Sequence, residues 1–392
     1  MDITASELSL GKEKYTVIDI RREDAFAFGH IDGAVNIPSD LFNDCSDADS
    51  YRALFAEYDI PDDSVPVICC RIGRLSETIA DALCDAGIRA YSLEGGYASW
   101  LCASLDDTER ADKVEKSIQK KFHKVLWSRF AKAVLTYKLI SPGDRIAVCI
   151  SGGKDSMLMA KLFQEMKRHD KFPFELVFLV MDPGYSPENR AIIEANAKML
   201  SIPITVFETD IFGSVYNVKN NPCYLCARMR RGHLYNKARE LGCSKIALGH
   251  HFDDVIETNL MSMIYGGQVQ TMLPRIRSAN FPGMELIRPM YFIREADIKH
   301  WRDYNKLHFL QCACHFTENC SSCDQNGQTD SKRLEMKQLI AKLAAANPQI
   351  EQNIFRSMEN INLHSVLSYK TDDGVHSFLD DLDTPDFSSS TL

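Results

Sequence analysis

The chain has 392 residues, of which 45% are hydrophobic and 25% charged, an ordinary globular balance for two domains. No apolar run reaches the roughly 18 residues a membrane span needs, and the opening MDITASELSLGKEKY has no signal-peptide core. A cytoplasmic protein with no membrane association is expected. A secreted disulfide framework is not expected, so thirteen cysteines point to thiol chemistry or metal ligation. The net charge of -9 argues against a nucleic-acid binder until it is read locally. Lys113 to Lys138 carries eight Lys or Arg and one acid, Glu115, whereas Thr371 to Leu392 carries six Asp and no Lys or Arg.

In chain order, short apolar strands at 16–20, 66–70 and 89–93 are separated by turn and helix signals. That alternation implies a parallel sheet with crossover helices over residues 1–105. Residues 106–114, DDTERADKV, read as a polar linker. Val114, Ile118, Phe122, Val125, Leu126, Leu135 and Ile140 recur at helical spacing, with lysines opposite. The segment 106–140 is thus a linker and basic helix, ended by SPGD at 141–144. A second doubly wound α/β domain spans 141–366, with strands at 145–150, 175–180, 204–209 and 245–249. Residues 331–366 read as helical. The acidic Ser/Asp tail, 367–392, reads as disordered. Cys84, Cys102, Cys149 and Cys243 sit in apolar contexts and are expected to be inert.

Cys70 ends a strand and opens the loop CRIGRLS before a helix. Backbone N–H groups and a helix N-terminus there stabilise a thiolate or persulfide. Arg71 and Arg74 add positive charge. IDIRREDAFAFGHIDGAVNIP (18–38), CRIGRLS (70–76) and LEGGYASW (93–100) resemble the rhodanese family across the whole first domain. The resemblance implies that Cys70 carries sulfur as a persulfide, loaded by a cysteine desulfurase or another persulfide donor. It implies fold-keeping roles for Asp19, Arg21, Asn36, Gly95, Gly96 and Trp100, among others. Leu75 departs from the family, where arginine is common. Cys69 is expected in the core by strand alternation.

SGGKDS follows a strand and opens a helix. Gly152 and Gly153 let the backbone approach phosphate, Ser151, Ser156 and the helix N-terminus supply donors, and Lys154 adds charge. The GxxxxGK[ST] pattern is absent, and SGGKDS resembles instead the PP-loop of ATP pyrophosphatases. CYLCARMRRG (223–232), ALGHHFDDVIET (247–258), MIYGG (263–267) and LIRPMYFIRE (286–295) follow in order. Together with similarity from Val114 to 361, they resemble the tRNA 2-thiocytidine synthetases.

That resemblance implies an adenine-nucleotide α-hydrolase-like domain that adenylates the C2 oxygen of a tRNA cytidine and replaces it with sulfur. ATP would sit on residues 151–156, with Mg²⁺ held chiefly through the nucleotide. Asp155 and Asp182 are candidate orienting or metal-side carboxylates; Asp182 reads equally as a cap before PGYSPE. Gly249 and His250 of the GHHFDD loop are expected beside the nucleotide, and Asp253 and Asp254 in positioning or proton transfer. Arg228, Arg230 and Arg231 could hold AMP phosphate, tRNA phosphate or cluster charge.

Cys223 and Cys226, read as a polar loop before a basic helix, are followed by Cys312, Cys314, His315, Cys320 and Cys323. A redox pair, a zinc site and an iron–sulfur site remain open from the residues alone. The family resemblance implies a [4Fe–4S] cluster on Cys223, Cys226 and Cys312, leaving one iron for exogenous sulfur. The other cysteines and His315 then line an insertion or form a zinc site. Alternatives are a PP-loop enzyme acting on another tRNA nucleotide or a small metabolite, and a non-enzymatic iron–sulfur sensor or sulfur-binding adaptor. The oligomeric state, including a homodimer, is left open.

Overall fold

The computed structural model describes residues 1–11, 15–104, 108–215, 222–310 and 332–381. The chain forms two compact units, Met1–Phe252 with Leu273–Ser321, and Asp253–Met272 with Ser322–Leu392. The first unit holds two sheets. β1 (Asp2–Ile3), β2 (Tyr15–Asp19), β3 (Val35–Asn36), β4 (Val65–Cys69) and β5 (Tyr91–Leu93) form a parallel sheet ordered β1-β5-β4-β2-β3. Both faces are covered, so its strands are continuously apolar. Ile68 and Cys70 pack on one face with Ile79 and Leu83 of the helix Arg74–Asp85. Val67 and Cys69 pack on the other with Leu8 and Leu93. Burial pushes the Cys69 thiol well above its ordinary range, which makes it inert.

The second sheet contains β6 (Arg145–Ile150), β7 (Glu175–Asp182), β8 (Ile204–Glu208), β9 (Lys245–Ala247), β10 (Arg275–Arg277) and β11 (Glu285–Ile287), ordered β10-β11-β9-β6-β7-β8. All neighbours are parallel except the edge pair β10 and β11. From β6 the chain winds outward through β7 and β8, then returns to place β9 on the other side of β6. Such a reversal opens a crevice at the carboxyl ends of β6 and β9, where ligands of doubly wound sheets bind. Helices Lys154–Arg168 and Pro187–Met199 cover one face, and Pro222–Glu240 contributes Tyr235 and Ala238 to the other.

Several expectations need correction. The helix Thr108–Gln119 starts within the stretch 106–114 expected as a polar linker, and Ala111 and Val114 are buried. A short π-helical turn at His123–Trp127 interrupts the basic helix before Ser128–Thr136. It shifts the register, so Leu135 is 73% exposed although the helical spacing put it in the core. Cys84 is exposed and Cys102 half-buried, while Cys149 and Cys243 are buried as expected. In the second unit, helices Lys332–Ala346 and Ile350–Ser357 accompany the segment after Phe252. The acidic tail is not structureless from 367: β12 (Ser368–Thr371) and β13 (Gly374–Ser377) form a hairpin. Thr371 pairs with Gly374, so the two residues Asp372-Asp373 make its turn.

The helix after β5 packs into the core of the second sheet. Ala98 and Leu101, from the helix Gly96–Ser104, pack in the same cluster as Val114, Ile118, Ile192 and Ile193. His308 lies at this seam, with Nδ1 3.2 Å from the Tyr97 hydroxyl and its ring edge-on to Trp100. Burial, with Arg110, Arg302 and His30 nearby outweighing Asp32, pushes its pKa from 6.5 down to about 4. The folded ring is therefore neutral and can accept the Tyr97 hydroxyl. A depressed histidine stabilises the fold above its unfolded pKa, and that stability is lost as pH falls from 6.5 towards 4. Thermal or urea unfolding of the full chain should lose up to about 1.4 kcal/mol per pH unit in that window. His308→Gln should flatten this dependence.

Candidate active site

The sulfur loop follows β4. The chain turns through Gly73, whose φ is +91°, directly into the helix Arg74–Asp85. Cys70 Sγ accepts the Gly73 N–H at 3.1 Å and the Ser76 hydroxyl at 3.3 Å. Ser76 is steadied by Ser92 at 3.0 Å. A sulfur anion is thus met by a backbone donor, a hydroxyl and a helix N-terminus. Gly96, at φ +60°, lies under the loop; a Cβ there would fall 2.4 Å from the Cys70 carbonyl oxygen. That carbonyl accepts the Tyr97 N–H at 2.8 Å. Asp19 is fully buried and pairs with Arg21 at 2.6 Å, and Asn36 bridges the carbonyls of both, as the fold-keeping roles require. Arg71 does not face the sulfur alone: its Nη2 donates to Asn189 Oδ1 at 3.0 Å. Leu75 is 47% exposed and makes no charged substitute for the family arginine.

The glycine turn after β6 occupies the crevice. Gly152 has φ +85°, and a Cβ there would meet Ile193 Cγ1 at 2.6 Å. Only glycine satisfies both constraints. Gly153 differs: its backbone is extended and a Cβ would find nothing nearer than 3.6 Å, so the protein itself leaves room there. It precedes the helix Lys154–Arg168 and provides no side-chain cap, so the first-turn N–H groups are available to an anion. Ser156 Oγ bonds the Gly153 carbonyl at 3.0 Å and receives the Ser151 N–H at 3.2 Å, which stiffens the turn. Lys154 is held between Asp155 at 3.1 Å and Glu295 at 3.4 Å.

Gly249 closes the crevice from β9; a Cβ there would lie 3.3 Å from the Ser156 backbone nitrogen. His250 and His251 follow, with His251 Nε2 3.9 Å from Asp155 Oδ1. Asp155 Oδ1 is buried and accepts no hydrogen bond among the described residues. An unsatisfied carboxylate oxygen beside an anion-binding turn fits a divalent ion arriving with a nucleotide.

Asp182, at the end of β7, is differently employed. Its Oδ1 accepts the N–H groups of Gly184 at 2.9 Å and Tyr185 at 2.7 Å, and its Oδ2 faces Arg190 at 3.3 Å. It shapes the turn, whereas the cap of the helix Pro187–Met199 is Ser186.

Cys223 and Cys226 lie in the first turns of the helix Pro222–Glu240, not in the polar loop expected for them. Pro222 suits the first helical position, which explains the early start. Cys226 is buried against Met181 and Phe212, beside the carboxyl end of β7. Arg230, one turn further, lies over the Phe212 ring, and its buried Nε has no hydrogen-bond partner among the described residues. A buried thiol and an unsatisfied guanidinium fit an anionic sulfide-rich cluster or a phosphate. Cys312, Cys314, His315, Cys320 and Cys323 lie outside the described residues.

In the second unit, Asp254 accepts Arg333 Nη2 at 2.8 Å, and Glu257 accepts Arg333 Nε at 2.8 Å. Asp254 therefore holds a structural ion pair. Asp253 lies beside it in the first turn of the same helix. Asn189, Ile193 and Glu295 escaped sequence reading. Glu295 closes a motif already noted, and that position was its signal. Nothing local marks Asn189 or Ile193, because their partners are distant in sequence.

A parallel-sheet sulfur loop joined to a glycine-turn nucleotide crevice defines a PP-loop protein with a rhodanese-like domain. The PP-loop domain family matches residues 114–315, and the rhodanese-like domain family matches residues 4–103. The tRNA-cytidine(32) 2-sulfurtransferase of Syntrophotalea carbinolica (strain DSM 2380 / NBRC 103641 / GraBd1) is 33% identical over 240 residues, covering 60% of this chain and 88% of that protein. The protein of the same name from Citrifermentans bemidjiense is 33% identical, covering 61% of this chain and 91% of its own length. Among solved structures, the U34-tRNA thiolase NcsA from Methanococcus maripaludis with its [4Fe-4S] cluster is 21% identical, with a TM-score of 0.46. That match covers 60% of this chain and 79% of the thiolase. The chain belongs to the tRNA-cytidine(32) 2-sulfurtransferase family. No helix among the described residues is long and apolar enough to cross a membrane.

Gly152→Ala should place a methyl against Ile193 in a left-handed backbone. The expected loss is about 2–4 kcal/mol of stability, read by urea unfolding. Gly153→Ala should leave stability within about 1 kcal/mol while weakening ATP binding in a calorimetric titration.

Proposed function

We propose that this chain uses ATP to activate the C2 oxygen of a tRNA cytidine, position 32 as in the named relatives, and replaces that oxygen with sulfur. The observation that carries the reading is the helix Pro187–Met199, which touches both loops. Asn189 bonds Arg71 of the sulfur loop, and Ile193 packs under Gly152 of the nucleotide turn. Positions i and i+4 share a helix face about 5–6 Å apart. A sulfur carrier and an adenylating turn are therefore neighbours, as a relay needs.

The C2 oxygen attacks the α-phosphorus of ATP, and diphosphate departs. The turn 151–156, through its N–H groups and Lys154, holds the departing charge; Asp155 is the residue that would hold a Mg²⁺ ion, which when bound would neutralise more of it. C2 is now bonded to a good leaving group. A sulfur nucleophile adds to C2, the C2–O bond breaks, and AMP leaves. Sulfide closes the balance at once. From the Cys70 persulfide, the terminal sulfur bonds to C2 while still attached to Cys70. A thiolate then cleaves the S–S bond, leaving thiocarbonyl product and a Cys70 disulfide that an external thiol reduces. Cys70 is reloaded by a cysteine desulfurase or another persulfide donor, held as the anion by Gly73 and Ser76. Cys223, Cys226 and Cys312 are the residues that would hold a [4Fe–4S] cluster, which when bound supplies an iron able to carry sulfur. Gly249 and His250 wall the nucleotide, Arg230 balances phosphate or cluster charge, and Asp253 with Asp254 assists in positioning or proton transfer.

Mass spectrometry of tRNA nucleosides from a strain lacking the gene should show loss of 2-thiocytidine. Loss of a different thionucleoside would replace the proposed substrate. Cys70→Ala should lower thiolation at least about tenfold with limiting persulfide donor and leave it unchanged with excess sulfide. Equal loss in both assays would remove the relay.

A further inference from the structure

An open hollow of about 540 Å³ lies between the helix Thr108–Gln119 and the end of the helix Glu295–Tyr304. Its charged lining is wholly cationic: Arg110, Lys113, Lys116, Lys120, Lys121 and Lys306. No carboxylate lines it. Two acids close in sequence are engaged elsewhere: Glu115 pairs with Lys161 and Arg168, and Asp303 with Arg302. Lys116, Lys120, Lys121 and Lys306 are exposed and make no ion pair among the described residues. Six cations around one hollow, in a chain of net charge -9, are a local concentration of charge that folding does not require.

Two bland explanations fall short. Lysines near helix C-termini complement the macrodipole, which accounts for Lys116, Lys120, Lys121 and Lys306. It does not account for Arg110 and Lys113, in the first half of their helix. A solvated helix face would also spread its charge outward. Here a second element closes the hollow: Asn305 bonds Ser117 at 3.1 Å, and Lys306 adopts φ +48°, a conformation costly for any residue but glycine. Tyr304 stands in the lining with Lys121 3.7 Å above its ring.

We propose that this hollow is a docking site for the phosphate backbone of the substrate RNA, outside the reaction crevice. The proposal rests on the tRNA reading above. The helix Glu295–Tyr304 sets the distance. Its first residue, Glu295, touches Lys154 of the nucleotide turn, while Tyr304 at its far end lines the hollow. They stand at the two ends of this ten-residue helix, about 14 Å apart along its axis. An occupant that reaches both must be an extended polyanion, and exposed lysines with one aromatic ring suit phosphates and a stacked base rather than a small buried ligand.

Binding of bulk unmodified tRNA to the full chain, measured across a salt series, tests this. Changing Lys116, Lys120 and Lys121 together to Gln should weaken binding at least about tenfold at low salt and make the log–log salt slope shallower by about two to three. ATP binding should be unchanged. A control with Lys171, Lys342 and Lys370, all exposed, changed to Gln should match the wild type. Lys120→Gln alone, which removes one exposed side chain, should shift the slope by about one. Wild-type affinity and slope in the triple variant would overturn the site. So would intact tRNA binding with lost binding of an acidic donor protein. If the wild-type chain itself does not bind tRNA, the functional reading fails, which is a different result from an unaffected variant.

Discussion

Much of the first unit depends on one helix, Pro187–Met199. It is placed by the turn before it, where the Asp182 carboxylate gathers two backbone N–H groups and Ser186 caps the first turn. Asn189 then receives Arg71, and Ile193 fills the space that any side chain at position 152 would need. The rhodanese-like loop and the nucleotide turn are held by the same rigid element. The apolar seam formed by Ala98, Leu101 and Ile192 makes that arrangement a packed core rather than a surface touch.

Both loops use the same physics. Each follows a central parallel strand, turns through a left-handed glycine and ends on a helix N-terminus. Parallel strands deliver such turns to one edge of a sheet, and helix N-termini bring uncommitted N–H groups to it. At Cys70 the anion is sulfur, and the donors are Gly73 and Ser76. At residues 151–156 the proposed anion is the phosphate of ATP. The chain therefore handles anions with a net negative charge, because the relevant positive charge is backbone dipole and a few placed side chains.

Burial sorts the cysteines. Cys69 and Cys70 are adjacent, yet strand alternation sends one into an apolar face with a raised pKa and gives the other a ring of donors. Cys149, buried across the second sheet, is pushed up to about 12 and stays a small hydrophobe. Cys226 is buried too, but beside the crevice strand β7 and one turn from Arg230. Position relative to the strand ends, not exposure alone, separates thiols for chemistry from thiols for packing.

The residues alone carried the parallel strands, the loop at Cys70 and the glycine turn at 151–156, because each is local: an apolar run, a turn and a helix start are adjacent in the chain. They misjudged residues 108–114, since that stretch is polar on average while Ala111 and Val114 reach the core. They misplaced Leu135, because an inserted π turn upstream rotates the helix. They left Asp182 between two roles, and did not foresee the turn that its carboxylate gathers before the Ser186 cap. Asn189 under Arg71, Ile193 under Gly152, Glu295 on Lys154 and the closing of the lysine hollow by Asn305 all join residues far apart in sequence. Such pairings are set by how helices pack on a twisted sheet. Local composition determines which loops form; packing determines which loops meet.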